Sequence, residues 1–244
     1  MKEIANLARI VTLRRTTNRP LLDLDSAQPG KEERLLQAIV ASPNATVAQL
    51  TKMLYGSNSS TSQMAMRKLR ARVQDKLLNH LLFLDNSDPR LLVSRRYELE
   101  CIDLLHKATT LYLEGEYQLS ERLLRRCMRL AQESDFTMYA ELATQRLRII
   151  YAEQSQQYKY KSLDKQLAAL RQQLEWEREA EQIALDVRLI MLHTVAKRRA
   201  MLPKIFSYLT RLQVLHGKAN SFNTFIALYR LRLSYAELLG QYGE

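Results

Sequence analysis

Residues that interrupt helices are scarce in this chain. Its 244 residues include 6 glycines and 5 prolines, and four of the prolines precede residue 90. Glycine and proline are the residues least favourable in a helix interior, so their scarcity beside abundant Leu, Ala, Arg, Gln and Glu predicts helices along nearly the whole chain. A hydrophobic share of 46% is large enough for a buried core and excludes wholesale disorder. We therefore expect an all-α fold.

The signals of secretion and membrane insertion are also missing. No stretch of about 18 apolar residues occurs, so neither a membrane span nor a membrane partner is expected. The short apolar patch from Leu7 to Leu13 is interrupted by Arg9 and does not form a signal peptide. Two cysteines, Cys101 and Cys127, are too few for a disulfide framework, and both lie at apolar helix positions. We interpret them as reduced core thiols of a cytoplasmic protein.

Patterns typical of catalytic and metal sites are absent as well. The scattered glycines form no phosphate-binding loop, and no Gly-x-Ser-x-Gly sequence occurs. The four histidines show no metal-ligand spacing with one another or with the cysteines: His80, His106, His193 and His216. The acidic run from Glu175 to Glu181 alternates with apolar residues, and we interpret it as a solvated helix face. We predict no cofactor, and an enzyme is the least favoured class of function.

Positive charge is concentrated in the first part of the chain. Residues 1–96 contain 16 Lys/Arg and 8 Asp/Glu, a net charge of +8, whereas residues 97–244 contain 21 and 18, a net charge of +3. Such an excess favours polyanionic partners, with a solvated basic surface as the alternative. Residues 1–30 lack a hydrophobic period and carry several arginines, so we interpret them as a basic N-terminal arm.

A three-helix unit is predicted for residues 31–90. Apolar residues recur at helical spacing in three segments: 31–41, 46–55 and 61–84. Thr46 followed by Gln49 has the spacing of a capping box, and Gly56 is placed to end the middle helix. A break near residues 85–96 separates this unit from the rest of the chain.

The second and third of these segments resemble the winged-helix modules of bacterial transcription activators. The resemblance lies in ATVAQLTKMLYG followed by TSQMAMRKLRARVQDKLL, and a tetratricopeptide-like region commonly follows the DNA-binding part in those proteins. It implies a helix-turn-helix whose last helix, 61–84, meets DNA. The candidate nucleic-acid-binding residues are Arg14, Arg15, Arg19, Gln63, Arg67, Lys68, Arg70, Arg72 and Gln74. The alternative is a solvated helix face in a unit that caps the helical repeats or forms a dimer contact.

Stacked helical hairpins are predicted for residues 97–244. The clearest pair joins two apolar-periodic helices at Gly115-Glu-Tyr117. The turn pattern Gly-x-Tyr recurs at Gly240 and Tyr242, 125 residues later, which corresponds to three units of about 42 residues. Further helices are predicted over 137–154, 161–179, 180–199, 203–216 and 220–239.

The hairpin at Gly115 resembles a tetratricopeptide repeat. Small residues lie where the two helices of such a repeat approach closely: Ala108, Ser120 and Cys127. Leu104, Leu111, Leu124 and Leu130 occupy its bulky positions, and Gly115 with Tyr117 matches its turn. The resemblance implies an α-α superhelix of about three hairpins that binds protein partners. An irregular helical bundle is the alternative, because residues 137–175 contain no glycine turn.

Two features of the repeat region bear on partners. The last predicted helix ends in the turn pattern of Gly240 and Tyr242, which indicates a truncated chain or a helix that docks onto another chain, including a second copy. The alternative is a helix that simply ends there. A basic face of Arg122, Arg125, Arg126 and Arg129 is a candidate for binding an acidic peptide or nucleic acid, with a solvated surface as its alternative.

Taken together, these patterns predict a non-catalytic helical-repeat scaffold that mediates protein–protein interaction. The alternative is a DNA-binding transcriptional regulator that uses helix 61–84, with the repeats as a regulatory or oligomerisation surface.

Overall fold

The computed structural model describes residues 6, 7, 9, 10, 21, 22, 28–42, 44–81 and 92–240, and this part of the chain is all-α, as predicted. Its ten helices are, in chain order, α1 (Lys31–Ala41), α2 (Val47–Tyr55), α3 (Ser60–His80), α4 (Val93–Leu113), α5 (Tyr117–Glu133), α6 (Thr137–Glu153), α7 (Gln157–Met191), α8 (Val195–Ala200), α9 (Leu202–Ala219) and α10 (Phe222–Leu239). Residues 6, 7, 9 and 10 are helical as well. Within these residues no helix has both the length and the apolar character needed to cross a bilayer.

The chain divides into two compact units, Met1–Asp88 and Pro89–Glu244. In the first unit, α1, α2 and α3 contact one another around a small core of Leu22, Leu35, Leu50, Met66, Leu69 and Val73. The capping box at α2 is confirmed, since the Gln49 amide donates to Thr46 Oγ1 (3.3 Å) and the Thr46 amide donates to Gln49 Oε1 (2.8 Å). Gly56 ends α2 at a φ of 75°, as predicted.

Helix boundaries around the predicted break differ from expectation. The structure describes α3 as far as His80, and residues 82–84 of the predicted helix lie outside the described residues. Helix α4 begins at Val93, so residues 93–96 belong to a helix and not to the break. Arg95 and Glu98 form an ion pair at i, i+3 in its first turns, a spacing that supports helix formation there.

Helices α4, α5, α6 and the first half of α7 form a stack of antiparallel neighbours. The order is fixed by polar contacts, such as the one in which Ser120 Oγ on α5 donates to the Ala108 carbonyl on α4 (2.8 Å). Two bonds join α4 to α6 over the same separation of 41 residues: Tyr139 OH to Glu98 and Tyr112 OH to Glu153. Equal offsets show that α4 and α6 run parallel, one hairpin apart.

The joins between these helices recur every 20 residues. Each contains one residue in the left-handed region: Gly115 (φ 80°), Asp135 (φ 59°) and Ser155 (φ 57°). The next amide closes each join as a Schellman motif, with bonds Glu116 N to Leu111 O (2.9 Å), Phe136 N to Ala131 O (2.7 Å) and Gln156 N to Tyr151 O (2.8 Å). The 42-residue unit inferred from Gly115 and Gly240 is therefore wrong here, because Asp135 and Ser155 adopt the glycine-like conformation without glycine.

Helix α7 is continuous for 35 residues, so the prediction of separate helices over 161–179 and 180–199 is wrong. No glycine or proline lies between its ends, and nothing local stops it. Its first half packs into the core of α4–α6, whereas its second half packs against α9 and α10. At about 100° per residue, the Leu163/Leu167/Leu170/Leu174 row and the Ile183/Val187/Ile190 row lie on opposite sides of the helix. The helix thus changes its buried face near its middle.

Helices α9 and α10 form an antiparallel pair on the second half of α7. Helix α9 continues through Gly217 to Ala219, where Asn220 in the left-handed region ends it, so the predicted stop at Gly217 is wrong. Gly217 has ordinary helical surroundings and no positive φ. Gly240 ends α10 at a φ of 75°, and Tyr242 lies outside the described residues.

Candidate protein-binding and nucleic-acid-binding surfaces

Helix α3 presents a basic side to solvent. Its opposite side places Met66, Leu69 and Val73 in the core of the first unit. The exposed candidates on α3 are Gln63, Arg67, Lys68, Arg70, Arg72 and Gln74. Three of them, Arg67, Lys68 and Arg70, form no ion pair with any described residue. These three cations are therefore available to an external anion.

Two other candidates on α3 have partners within the unit. Arg72 Nε lies 3.5 Å from Glu32 Oε1, and Lys76 Nζ lies 2.5 Å from Glu32 Oε2. This cluster joins α3 to α1 and partly neutralises Arg72. Gln63 Nε2 donates to the carbonyl and the Oδ1 of Asn58 (both 3.3 Å), so it holds the loop before α3. The arm residues Arg14, Arg15 and Arg19 lie outside the described residues.

The four arginines of α5 do not form one free basic face. Arg126 Nη2 binds Glu100 on α4 (2.5 Å), and Arg125 binds Glu121 and donates to the Tyr151 hydroxyl on α6 (2.6 Å). Burial and the hydrogen bond to Glu121 raise the pKa of Tyr151 to about 12, so this phenol stays neutral between its charged neighbours. Arg125 and Arg126 thus link helices, while Arg122 and Arg129 are exposed.

The turn residues and the cysteines have structural roles. The Tyr117 ring meets Tyr112 edge to face, with centroids 5.7 Å apart, directly after the Gly115 turn. Both cysteines are free and fully buried, as predicted, and Cys127 Sγ donates to the Cys101 carbonyl (3.6 Å). Contact with Cys101 and burial raise the pKa of Cys127, which keeps its thiol protonated. No group of three or more potential metal ligands occurs in the described part of the chain.

An apolar groove lies between the parallel helices α4 and α6, with α5 as its floor. It encloses about 350 Å³ and is lined mainly by Ala108, Tyr112, Leu113, Leu124, Leu142, Ile149 and Ile150. Leu113 and Ile149 remain 67% and 41% exposed at its rim. The polar lining includes Arg146, which is half-buried and forms no ion pair with a described residue. Sequence reasoning missed this groove, because it forms between residues that are about 40 positions apart.

A second cleft, of about 560 Å³, surrounds the middle of α7 and contains a buried carboxylate. Glu177 is only 6% exposed, so the interpretation of residues 175–181 as a solvated face is wrong at this position. Its carboxylate accepts hydrogen bonds from Thr137 Oγ1 (2.7 Å), Gln173 Nε2 (3.3 Å) and Asn223 Nδ2 (3.2 Å).

The position of Glu177 explains how a carboxylate is buried there without a cation. Thr137 is the first residue of α6, and Asn223 lies in the first turn of α10. Asp135 also binds this junction, since its Oδ2 accepts from the Phe222 amide (2.6 Å). Helix N-termini carry partial positive charge, so two of them pointing at one place stabilise acidic side chains.

Helix α10 exposes a row of aromatic rings. Phe222, Phe225 and Tyr229 lie along one side, and the Phe225 and Tyr229 rings stack with centroids 6.0 Å apart and an angle of 17°. Its other side is buried through Thr224, Ala227, Leu228 and Leu231. Exposed aromatic rows are surfaces that partners cover. Docking through this helix stays a prediction.

These surfaces define an all-α protein of sequentially packed helices with several uncovered apolar and basic patches. No family model, no curated protein and no solved structure matches the chain. The function proposed below therefore depends on the geometry of the patches themselves.

Proposed function

We propose that this protein is a non-catalytic, tetratricopeptide-like scaffold that binds a protein partner in the groove between α4 and α6. The observation that carries the proposal is the apolar lining of that groove together with the exposed rim residues Leu113 and Ile149. Fully burying one such aliphatic side chain contributes about 1.5–3 kcal/mol, so a partner that covers both gains substantial affinity.

The arrangement around the groove supports the likeness to tetratricopeptide repeats. Helices α4 and α6 are parallel and one hairpin apart, and the small pair Ala108 and Ser120 brings α4 and α5 together through a 2.8 Å hydrogen bond. Arg146 beside the apolar lining favours a partner segment that carries a carboxylate next to its apolar residues. A cytoplasmic location belongs to the same proposal, because Cys101 and Cys127 are free thiols in the core.

Affinity purification of the full chain from its source cells, with and without nuclease, tests this function. We expect nuclease-resistant protein partners whose recovery is lost for Ile149→Glu, which places a charge in the groove. The matched control is Tyr158→Glu, because Tyr158 is 88% exposed and outside the groove. Equal recovery of the same partners by both variants would contradict binding in the groove.

A second candidate function is DNA binding by the helix-turn-helix-like first unit. The observation that favours it is the set of three exposed cations on α3, Arg67, Lys68 and Arg70, that lack ion pairs with described residues. They follow a capped three-helix arrangement in which the last helix is the longest. Such a helix would bring its cations to DNA phosphates and base edges.

Salt titration of binding to a duplex DNA tests the second candidate. The double variant Arg67→Ala with Arg70→Ala should weaken binding and lower the slope of log K against log salt by about two, since each phosphate contact contributes about 0.9. The variant Lys161→Ala with Lys165→Ala removes the same charge from exposed positions on α7 and should change the slope little. Absence of binding at low salt would exclude this function.

A further inference from the structure

The second half of α7 leaves a row of leucines in solvent. Leu185, Leu189 and Leu192 are 49%, 63% and 77% exposed, although they are large apolar side chains on a helix whose other side is fully packed. Their spacing of four and three residues places them on one side of the helix. That side is opposite Ile183, Val187 and Ile190, which are buried against α9 and α10.

The exposed leucines continue a face that the first half of α7 already buries against helices. Successive residues advance by about 100°, which places Leu185, Leu189 and Leu192 in line with Leu167 and Leu174. Those earlier leucines are buried, and α6 covers this side of α7 up to Glu177, where α6 begins. Residues 178–191 extend the face by about 20 Å, which is the length of a helix of roughly four turns.

The end of this leucine face is strongly basic. Residues 187–200 contain four Lys or Arg and no Asp or Glu. Three of these cations, Arg188, Lys197 and Arg199, form no ion pair with a described residue. The fourth, Arg198, donates through Nε to the His193 carbonyl (2.6 Å), which holds α8 against the end of α7. The leucines are thus followed by a cluster of cations without anionic partners in the described structure.

We propose that this leucine face binds an acidic amphipathic helix of a partner protein. The apolar side of that helix covers Leu185, Leu189 and Leu192, and its carboxylates pair with Arg188 and the cations of α8. A helix fits because helices cover the first half of the same face, at the spacing that side-chain ridges and grooves allow. The leucine face lies outside the α4/α6 groove, so the two binding surfaces are separable.

Fluorescence anisotropy with the full chain and a labelled synthetic helix tests the proposal. The probe is a peptide of about 16 residues, roughly 24 Å as a helix, with leucines on one side and glutamates beside them. A second peptide replaces every glutamate by lysine. We expect the acidic peptide to bind at least about tenfold more tightly than the basic one. Equal affinities would overturn the proposal.

Two variants locate the binding. Leu189→Glu should weaken binding of the acidic peptide at least about tenfold, because a carboxylate is placed among apolar and acidic groups of the probe. Lys197→Glu with Arg199→Glu should weaken it and remove the preference for the acidic peptide. Ile149→Glu, in the α4/α6 groove, should leave peptide binding unchanged. Loss of binding only in Ile149→Glu would overturn the leucine face while supporting the groove.

Two further measurements test other occupants of the same surface. Sedimentation of the wild-type chain over a range of concentrations reports self-association, and co-sedimentation with phosphatidylglycerol vesicles reports binding to an anionic membrane. We expect neither to depend on Leu189. Self-association or vesicle binding that Leu189→Glu abolishes would replace the proposed helix by a second copy or by a lipid surface, and would overturn the proposal.

Discussion

The two halves of α7 belong to differently built blocks. The first block, α4–α6 with the first half of α7, has joins at intervals of 20 residues and polar bonds that repeat with a separation of 41. The second block, α9 and α10 with the rest of α7, has no such interval and packs through aliphatic and aromatic residues. A regular repeat therefore ends within a helix, without any break in the chain.

The contrast shows what a change of packing face requires. Glu177 lies where α7 changes its buried side, and its carboxylate bonds with the first turns of α6 and α10. Because these helices begin at the same place and run apart, one covers the first half of α7 and the other covers the second. The buried carboxylate satisfies polar groups that the meeting of two helix ends would otherwise leave without partners.

The largest effects should come from removing core side chains in each block. Leu124 in the first block and Leu212 in the second are both fully buried, so either change to alanine should lower the free energy of unfolding by about 2–5 kcal/mol. Since α7 is shared, we expect each variant to lower the melting temperature of both blocks.

Two probes measure this coupling. Circular dichroism follows all helices, whereas the single tryptophan, Trp176, packs in the core of the second block and reports on it by fluorescence. A Leu124→Ala variant whose Trp176 transition stays at the wild-type temperature would show that the blocks unfold independently.

A smaller effect is expected at the junction of the blocks. Glu177→Leu removes an acceptor from Thr137 and Asn223 and should cost about 1–3 kcal/mol of unfolding free energy, measured by urea titration. Glu177→Gln keeps the shape and should cost less. Glu175→Gln is the matched control, because Glu175 is exposed and should change stability by less than about 0.5 kcal/mol. Equal stability of Glu177→Leu and wild type would contradict the structural role.

The turns of the first block should respond to substitution according to their backbone angles. Gly115→Ala places a Cβ on a residue with φ 80° and should destabilise by about 1–2 kcal/mol, although no atom lies within 4 Å of that Cβ. Ser155→Gly relieves the same backbone strain and should stabilise by less than about 1 kcal/mol. Thermal unfolding of both variants measures the difference, and identical melting temperatures would contradict the equivalence of the two joins.

The smallest effect is expected for the phenol between α5 and α6. Tyr151→Phe should cost about 0.5–1.5 kcal/mol at neutral pH through its lost hydrogen bonds. The pKa of Tyr151 is raised from 10.0 to about 12, so between these values the unfolded chain releases a proton that the folded chain keeps. Stability should therefore fall as pH rises from 10 to 12, and less steeply in Tyr151→Phe.

Urea titrations across this pH range measure the alkaline effect. Tyr158→Phe removes an exposed phenol from the start of α7 and should keep the wild-type slope. A Tyr151→Phe variant with the same alkaline slope as the wild type would contradict the assigned origin of the shift.

Features that depend on neighbouring residues were predictable from the sequence. The all-α class, the capping box of Thr46 and Gln49, the glycine turn at Gly115 and the small residues Ala108 and Ser120 between paired helices all follow from spacing within one or two helices. Helix caps and hydrophobic periodicity act over three or four residues, so a single chain shows them directly.

Features that depend on distant residues were decided by the tertiary structure. Nothing local distinguishes Asp135 and Ser155 as left-handed turn residues, and nothing local reveals that α7 continues unbroken while its buried face changes. The burial of Glu177 and the groove between α4 and α6 require helices about 40 residues apart to meet. The sequence by itself determined where most helices form and which sides are apolar. Only packing decided which of those sides are covered, because burial depends on the neighbours that each face finds in space.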